Sequence, residues 1–200
     1  VVGEFEMPVG ALAPAQLYAP MARRHMELYG TTSRQLGEIA VATRRHAALH
    51  GNAIMTAPIT IEDHQASRMI AAPLRLLDCT LESDGAVAVI VSAAERARDQ
   101  KKRPVWVMGA AEGHPDSPSV ISQRPDLTTF GLAKAAPRAF AMAGVGPADI
   151  DVAEIYDCFT FNVLCQIEDL GFCGKGEGGP FVEGGAITLG ARLPINTHGG

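Results

Sequence analysis

The sequence lacks the features that mark nucleic-acid-binding and membrane-spanning proteins. Aromatic residues make up only 6% of its 200 residues, and 17 Lys and Arg stand against 22 Asp and Glu, for a net charge of −5. No basic stripe with interleaved aromatics occurs, which argues against nucleic acid as a partner. The longest apolar stretches, such as Ala86–Val91, are far shorter than the ~20 residues of a membrane-spanning helix.

The sequences at the two ends of the chain also lack the features of natural protein termini. The N-terminus has no initiator methionine and no basic segment followed by an apolar run, so we predict no signal peptide. At the other end the chain stops at Gly199-Gly200, a pair that looks about to lead into further structure. We interpret both ends as cut from a longer protein.

Cysteines are few and scattered, at Cys79, Cys158, Cys165 and Cys173, and no two of them form a C-x-x-C pair. Structural zinc sites and redox dithiols commonly use such pairs, so we expect neither. We predict that all four are small, buried, apolar side chains. This cysteine usage is typical of a reducing compartment and indicates a cytoplasmic protein.

The sequence does contain enough hydrophobic residues, 47%, to bury the core of one domain or two small ones. Apolar residues at helical spacing, with capping residues before them or glycines after them, predict five main helices. These helices cover Ala15–Tyr29, Thr31–Leu49, Thr60–Ile70, Thr129–Ala143 and Phe159–Leu170. A capping box at Ser92–Glu95 predicts a short additional helix.

Four apolar segments between these helices are predicted strands. They are Leu74–Cys79, Ala86–Val91, Val105–Gly109 and Val152–Ile155. Ala86–Val91 is apolar throughout, as in a strand that is buried on both faces. Strands that alternate with helices in this way indicate an α/β fold. A polar segment at 114–125 and a glycine-rich segment at Gly174–Gly185 are predicted loops.

The glycine-rich segment formally satisfies G-x-G-x-x-G at residues 174–179. A dinucleotide-binding motif follows a strand and opens a helix, because the phosphate binds at the helix N-terminus. Here the glycines follow a predicted helix and precede Pro180. We therefore predict a flexible or substrate-flanking loop.

Histidines at positions 25, 46, 50, 64 and 114 have no metal-ligand spacing. His46 and His50 are four residues apart, but the glutamate of H-E-x-x-H does not stand between them. We predict a partly exposed helix face for this pair, a polar loop around His114 and no metal site.

The most informative local pattern is Glu154–Phe159, where a predicted strand ends and a helix begins. Ligands of open α/β sheets bind at such carboxyl ends, and Tyr156 and Asp157 are polar groups that follow an apolar strand. The alternative is structural: the Tyr156 hydroxyl would cap local backbone and Asp157 would be the N-cap of the helix. On the local pattern alone, the structural alternative is favoured.

A second pattern closes the chain at Asn196–Gly200. Paired glycines allow a backbone to approach a ligand closely, and the neighbouring Asn196 and His198 can donate hydrogen bonds. By itself this pattern is weakly specific.

Together, in this order and at this spacing, the two patterns resemble the C-terminal half of thiolases, and most of all the sterol-carrier-protein type and its lipid-transfer-protein relatives. The resemblance covers most of the chain from about Tyr18 onward. The segments that carry it are Ser83–Ala88, Asp149–Glu154, Glu168–Cys173, Gly176–Gly179 and Leu193–Gly200.

The resemblance implies an α/β fold of two similar halves in a five-layer α-β-α-β-α sandwich, which is usually dimeric. This chain would be an incomplete copy, with residues 1–103 from the N-terminal half and 104–200 from the start of the C-terminal half. The family's nucleophilic cysteine would lie upstream, so the fragment alone is expected to be inactive.

Within the resemblance, Tyr156-Asp157-Cys158-Phe159 aligns with Asn-Glu-Ala-Phe of classical thiolases and His-Asp-Cys-Phe of the sterol-carrier type. The first residue of this motif helps to build an oxyanion hole for the thioester oxygen, where negative charge develops. A phenol at Tyr156 can also donate a hydrogen bond. Tyrosine at this motif position resembles the thiolase-like aldolases. These enzymes release a short acyl-CoA from steroid side chains and work with a small OB-fold (zinc-ribbon) partner.

Three functions therefore remain open for the whole protein. Acyl transfer on acyl-CoA thioesters is slightly favoured as the general description of the reaction. The mechanism that Tyr156 suggests favours retro-aldol cleavage. The third is a non-catalytic subunit that binds lipid or acyl-CoA. No cofactor is expected to be bound, and coenzyme A would be part of the substrate.

The resemblance also implies roles for individual residues. Tyr156 would stabilise or protonate the reacting oxygen, and Asp157 would orient its neighbours. Asn196 and His198 would shape the catalytic loop, and Gly199-Gly200 would let the backbone approach the substrate. We predict that Tyr156 and His198 meet at a shared crevice.

Overall fold

The computed structural model describes residues 2–97, 99–116 and 124–200. These residues form seven α-helices: α1 Pro14–Tyr29, α2 Ser33–His50, α3 Ile61–Ala66, α4 Ala94–Ala97, α5 Leu132–Ala143, α6 Thr160–Asp169 and α7 Gly178–Val182. The same residues form one two-stranded sheet, with β1 Met69–Ala71 antiparallel to β2 Leu74–Arg75. Among the described residues, no helix has the length and hydropathy of a membrane span.

The first two helices confirm the predictions from periodicity and capping. α1 ends at Gly30, whose φ of 75° gives the left-handed C-cap that glycine adopts without strain. α2 begins with a capping box, in which the Thr32 side chain accepts the Gln35 N–H and the Gln35 side chain accepts the Thr32 N–H. These caps satisfy backbone groups that helix ends otherwise leave unpaired.

The core is built around α6. Nine of its ten residues are buried, among them Phe161, Leu164 and Ile167. Such a helix needs apolar neighbours on all sides, and α6 packs against α2, α5 and α7. Its central position fixes the segment that precedes it, which contains Tyr156 and Asp157.

The helix predicted at Thr60–Ile70 starts where expected but ends four residues early, at Ala66. The Ser67 hydroxyl donates to the His64 carbonyl, and the chain then enters the β1–β2 hairpin. The strand predicted at Leu74–Cys79 is also shorter. Residues 76–78 form a 3₁₀ turn, because the Asp78 carboxylate accepts the Arg75 N–H and closes it.

The prediction of strands at Ala86–Val91 and Val105–Gly109, the two most apolar segments, is wrong. Neither segment has regular structure, and Val87, Ile90 and Val105 are 92–94% exposed. An apolar sequence gives strand propensity, but a strand forms only where a second segment pairs with its N–H and C=O groups. None of the described segments supplies that pairing.

The strand predicted at Val152–Ile155 is reduced to one parallel bridge between Ala153 and Ile195. The Ala153 N–H donates to the Pro194 carbonyl, and the Asn196 N–H donates to the Ala153 carbonyl. This short pairing joins the two segments that carry the candidate site.

The glycine-rich segment predicted as a loop contains α7 and a 3₁₀ turn at Glu183–Gly185. A Cβ atom at Gly178 would lie 2.7 Å from a Glu168 carboxylate oxygen, and one at Gly179 would lie 2.4 Å from the Gln35 side chain. These glycines are needed for close helix packing, which agrees with rejecting a dinucleotide site. The predicted polar loop at 114–125 lies largely outside the described residues.

Candidate active site

Residues 153–157 alternate between an inner and an outer face. Ala153 and Ile155 are each 8% exposed, whereas Tyr156 is 68% exposed and Glu154 is also exposed. Side chains of extended backbone point alternately to opposite sides. Glu154 and Tyr156 therefore share the outer face, and Asp157 belongs to the inner one.

Asn196 holds the inner face in place. Its carboxamide oxygen accepts the Ile155 N–H at 2.7 Å, and its amide nitrogen donates to the Ile155 carbonyl at 2.8 Å and to the Asp157 carboxylate at 2.9 Å. Asn196 is 1% exposed and has a φ of 50°, a left-handed conformation that asparagine tolerates better than most residues. The buried carboxamide thus joins the two predicted patterns.

Asp157 lines a cavity of about 340 Å³ together with Gly199 and Gly200. Burial raises the pKa of the Asp157 carboxyl, and the hydrogen bond from Asn196 opposes that rise. The N-cap of α6 is Phe159, so the alternative role of Asp157 as the N-cap is wrong. Its partner is Asn196 instead.

Tyr156 and His198 lie outside this cavity lining, on the outer face. The imidazole Nδ1 of His198 lies 2.7 Å from a Glu154 carboxylate oxygen. The other oxygen of Glu154 accepts the N–H and the hydroxyl of Thr197 at 3.2 and 2.9 Å. Glu154, for which no role was predicted, therefore holds the turn that presents His198. The sequence feature that could have pointed to Glu154 is its position two residues before Tyr156, on the same side of an extended segment.

Interaction with the Cys158 side chain raises the pKa of the Tyr156 phenol, and burial acts in the same direction. A phenol is protonated at neutral pH, so the Tyr156 hydroxyl can serve as a hydrogen-bond donor.

The paired glycines pack against the protein itself. A Cβ atom at Gly199 would lie 2.4 Å from the Ala47 backbone in α2, and one at Gly200 would lie 2.5 Å from the Asp157 carboxylate. Their φ angles of 103° and 79° are also left-handed. The structure thus explains these glycines by close packing of the turn on α2, and their approach to a substrate stays a prediction.

The four thiols are poor nucleophiles in their present surroundings. Burial raises the pKa of Cys79 to about 11 and that of Cys173 to about 12, and it also raises the pKa of Cys158 and Cys165. Nucleophilic and metal-binding cysteines react as thiolates, which these environments disfavour. The prediction that all four cysteines are buried is confirmed for Cys165. The other three are only partly buried.

The predicted exposure of the His46 and His50 pair is wrong for His46. His25, His46 and His64 have 0% exposure, whereas His50 and His114 are exposed. His64 lies 2.8 Å from the buried Asp78 carboxylate, which also accepts the Thr160 hydroxyl. Tertiary hydrogen bonds, which leave no periodic signal, therefore account for their burial.

One cluster of potential metal ligands exists among the described residues: His25, Cys165 and Glu168, whose ligand atoms lie within 4.8 Å of one another. The Glu168 carboxylate already accepts hydrogen bonds from His25 at 3.0 and 3.1 Å and from the Gly178 N–H at 2.9 Å. The Lys175 ammonium lies 3.1 Å from the same carboxylate. With a cation in place and a neutral thiol beside it, these residues fit a buried ion pair better than a metal ion.

This ion pair makes a stability prediction. Replacing Glu168 with glutamine should lower the free energy of unfolding by about 1.5–3 kcal/mol at pH 7, because a buried charged acceptor of hydrogen bonds is lost while Lys175 keeps Asp169 at 2.7 Å. The exposed pair of Arg34 and Glu62 is the control, since E62Q should cost at most about 1 kcal/mol. Denaturant unfolding of both variants measures the difference, and equal costs would contradict the assignment.

The pH dependence of that difference has a definite sign. Burial acts to raise the pKa of Glu168, but His25, the Gly178 N–H and Lys175 together outweigh it, so the pKa is lowered. A lowered folded-state pKa stabilises the protein above the unfolded-state value, and this stabilisation is lost as the pH falls through the folded-state value. The gap between wild type and E168Q should therefore narrow in acid.

Comparison with known proteins identifies relatives of this chain. Residues 113–200 match the family of thiolase C-terminal domain-like proteins. The whole chain is 50% identical to the 17-hydroxy-3-oxo-4-pregnene-20-carboxyl-CoA lyase of Mycobacterium tuberculosis and covers 53% of it. Over 97% of its length it is 44% identical to the steroid side-chain-cleaving aldolase of Thermomonospora curvata and covers 51% of that protein. The chain thus spans about half the length of these relatives.

Two solved structures agree with these relatives. The Ltp2–ChsH2(DUF35) aldolase superposes on 97% of the chain with a TM-score of 0.93 at 44% identity, and the match covers 52% of its own chain. A monomeric SCP2-thiolase-like protein from Mycobacterium smegmatis covers 85% of the chain at 19% identity and a TM-score of 0.64, with 41% of its own chain matched, and shows the fold alone. These likenesses confirm the α/β, thiolase-like fold. The chain therefore belongs to the thiolase superfamily and is similar to its sterol-carrier-protein-type members and thiolase-like aldolases.

Proposed function

We propose that the intact protein is a thiolase-like aldolase that cleaves a β-hydroxyacyl-CoA by a retro-aldol reaction. The observation that carries this proposal is the exposed phenol of Tyr156, which shares the outer face with Glu154, the partner of His198. Two relatives named as a lyase and a side-chain-cleaving aldolase support it. Both observations favour retro-aldol cleavage over acyl transfer.

The reaction sets clear chemical requirements. A base removes the proton of the β-hydroxyl, the bond between the α- and β-carbons breaks, and a ketone forms at the β-carbon. The bonding electrons pass to the thioester as an enolate, which takes up a proton at the α-carbon and leaves as a shorter acyl-CoA. The site must therefore supply a base and a donor to the thioester oxygen.

The outer face offers both groups. Tyr156 would donate its hydroxyl hydrogen to the thioester oxygen as negative charge develops there. Glu154 would hold the Nδ1 side of His198, which leaves Nε2 free to accept the β-hydroxyl proton. Asp157 and Asn196 would fix this segment from the inner side. Gly199-Gly200 would set the backbone of the turn close to the substrate.

The substrate and partners are also part of the proposal. A steroid-type side chain, activated as a coenzyme A thioester, fits the names of the relatives. A small OB-fold partner fits the similar Ltp2–ChsH2(DUF35) aldolase, which has two components. We further propose a homodimer, a cytoplasmic location and a division between residues 103 and 104. On this scheme the fragment alone is inactive.

A direct assay tests the reaction type. The intact protein, alone and with its OB-fold partner, is incubated with a steroid carrying a β-hydroxyacyl-CoA side chain. We expect equal amounts of a steroid ketone and a short acyl-CoA, measured by mass spectrometry. Thiolysis of 3-ketoacyl-CoA without retro-aldol cleavage would support acyl transfer instead. Tight binding of the thioester without turnover of either substrate would support a non-catalytic subunit.

A further inference from the structure

His46 occupies a buried position between α2 and the segment that carries the site. Its Nε2 lies 3.1 Å from the Leu189 backbone nitrogen, and its Nδ1 lies 3.2 Å from the Asn196 backbone oxygen. Its side chain has 0% exposure. Both ring nitrogens are therefore engaged by backbone groups that are about 150 residues away along the chain.

These two partners determine the tautomer of the imidazole. A backbone N–H can only donate, so Nε2 must accept the hydrogen of Leu189. A backbone carbonyl can only accept, so Nδ1 must carry the hydrogen that it shares with Asn196. The ring is thus neutral with its proton on Nδ1, and no other protonation state satisfies both partners.

The carbonyl that His46 contacts belongs to the residue that joins both faces of the site. The same Asn196 oxygen accepts the Gly199 N–H at 2.9 Å, which closes the turn around His198. The Asn196 side chain holds Ile155 and Asp157. Asn196 has left-handed backbone angles, which cost free energy and persist only where surrounding contacts hold them.

We infer that His46 is a positioning residue that fixes the turn at 196–199, and through it the placement of His198 and Asp157. This inference rests on the proposed function for its kinetic consequence, whereas the tautomer and the turn can be tested without it. A displacement of about 1 Å in a catalytic group can cost roughly 100-fold in rate, so a lost contact here should reach the reaction.

Two substitutions separate the two hydrogen bonds of His46. Asparagine can place an amide N–H near the former Nδ1 and keep the bond to Asn196, whereas glutamine can place an oxygen near the former Nε2 and keep only the bond to Leu189. In the intact protein we expect H46Q to lower kcat for retro-aldol cleavage by about 10–100-fold. H46N should retain kcat within about fivefold, and KM should change little in both.

The control is H50Q, one helical turn away at the exposed C-terminal end of α2, which should match wild type. Hydrogen exchange of the segment 196–200 should be faster in H46Q than in H46N or H50Q, whatever reaction the protein catalyses. Equal kcat values for H46N and H46Q, or equal exchange, would overturn the inference. If the retro-aldol assay fails but exchange separates the variants, the proposed function falls and the positioning role stands.

One measurement needs no variant that might fail to fold. The ¹⁵N chemical shifts of histidine-labelled wild-type protein report the tautomer of each imidazole. We expect His46 to be neutral and protonated on Nδ1. A proton on Nε2 instead would contradict the hydrogen bonds to both Leu189 and Asn196, and would overturn the inference.

Discussion

Replacing Tyr156 with phenylalanine in the intact protein should lower kcat for retro-aldol cleavage by about 10²–10⁴-fold. The substitution keeps the ring and removes only the hydroxyl that would donate to the thioester oxygen. Because Tyr156 is largely exposed and its ring is retained, the free energy of unfolding should stay within about 0.5 kcal/mol of wild type. Steady-state kinetics and denaturant unfolding measure the two effects separately.

Tyr29 provides a matched control for this experiment. It lies 11 residues beyond Tyr18 on the same helix, roughly 16 Å along its axis, whereas Tyr18 contacts Phe159 beside the site. The Tyr29 ring packs on His25 at 4.7 Å, away from Tyr156. Y29F should leave kcat unchanged. Turnover of Y156F within about twofold of wild type would remove the phenol from the chemistry, given the usual contribution of such groups.

Replacing Asn196 with aspartate should destabilise the protein strongly, by about 3–5 kcal/mol at pH 7.5. The substitution preserves shape, and one oxygen can still accept the Ile155 N–H. The former amide nitrogen becomes an oxygen facing the Ile155 carbonyl at 2.8 Å and the Asp157 carboxylate at 2.9 Å. Two donated hydrogen bonds are thus replaced by repulsion between oxygens, in a site with almost no solvent.

The effect of pH on N196D follows from the same contacts. The introduced carboxyl lies against two oxygens, so folding raises its pKa above the unfolded-state value. The folded state then binds more protons, and stability falls as the pH rises through the folded-state pKa. The deficit should therefore shrink between pH 7.5 and pH 5. N52D, at an exposed asparagine, should show neither effect, and a deficit that grew in acid would contradict the arrangement.

Helices were predictable because their information is local. The spacing of apolar residues and the capping residues Thr32 and Thr60 placed α1 to α3 within a few residues of their starts. α6 was predicted for the same reason, within one residue at each end. Helix α3 ends at Ala66, before its predicted end at Ile70, because the chain enters the β1–β2 hairpin. The periodicity of the sequence did not indicate this hairpin.

Strands were predictable only as propensities. Ala86–Val91 has the composition of a buried strand, yet its side chains are exposed in the described structure because pairing requires a second segment. Val152–Ile155 pairs at one residue only. An amphipathic or apolar pattern states which residues prefer to be buried, but it does not name the partner that buries them.

By itself, the sequence determined the helices, the superfamily and the identity of the candidate residues, because periodicity, caps and motifs lie within short stretches of chain. Only the tertiary structure decided which of those residues meet. It put Glu154 against His198, joined Asn196 to Asp157, and enclosed His46 between two distant backbone groups. These contacts join residues about 40 to 150 positions apart in the sequence, and they depend on how the helices pack around α6. A local sequence pattern contains no information about which distant residues will meet.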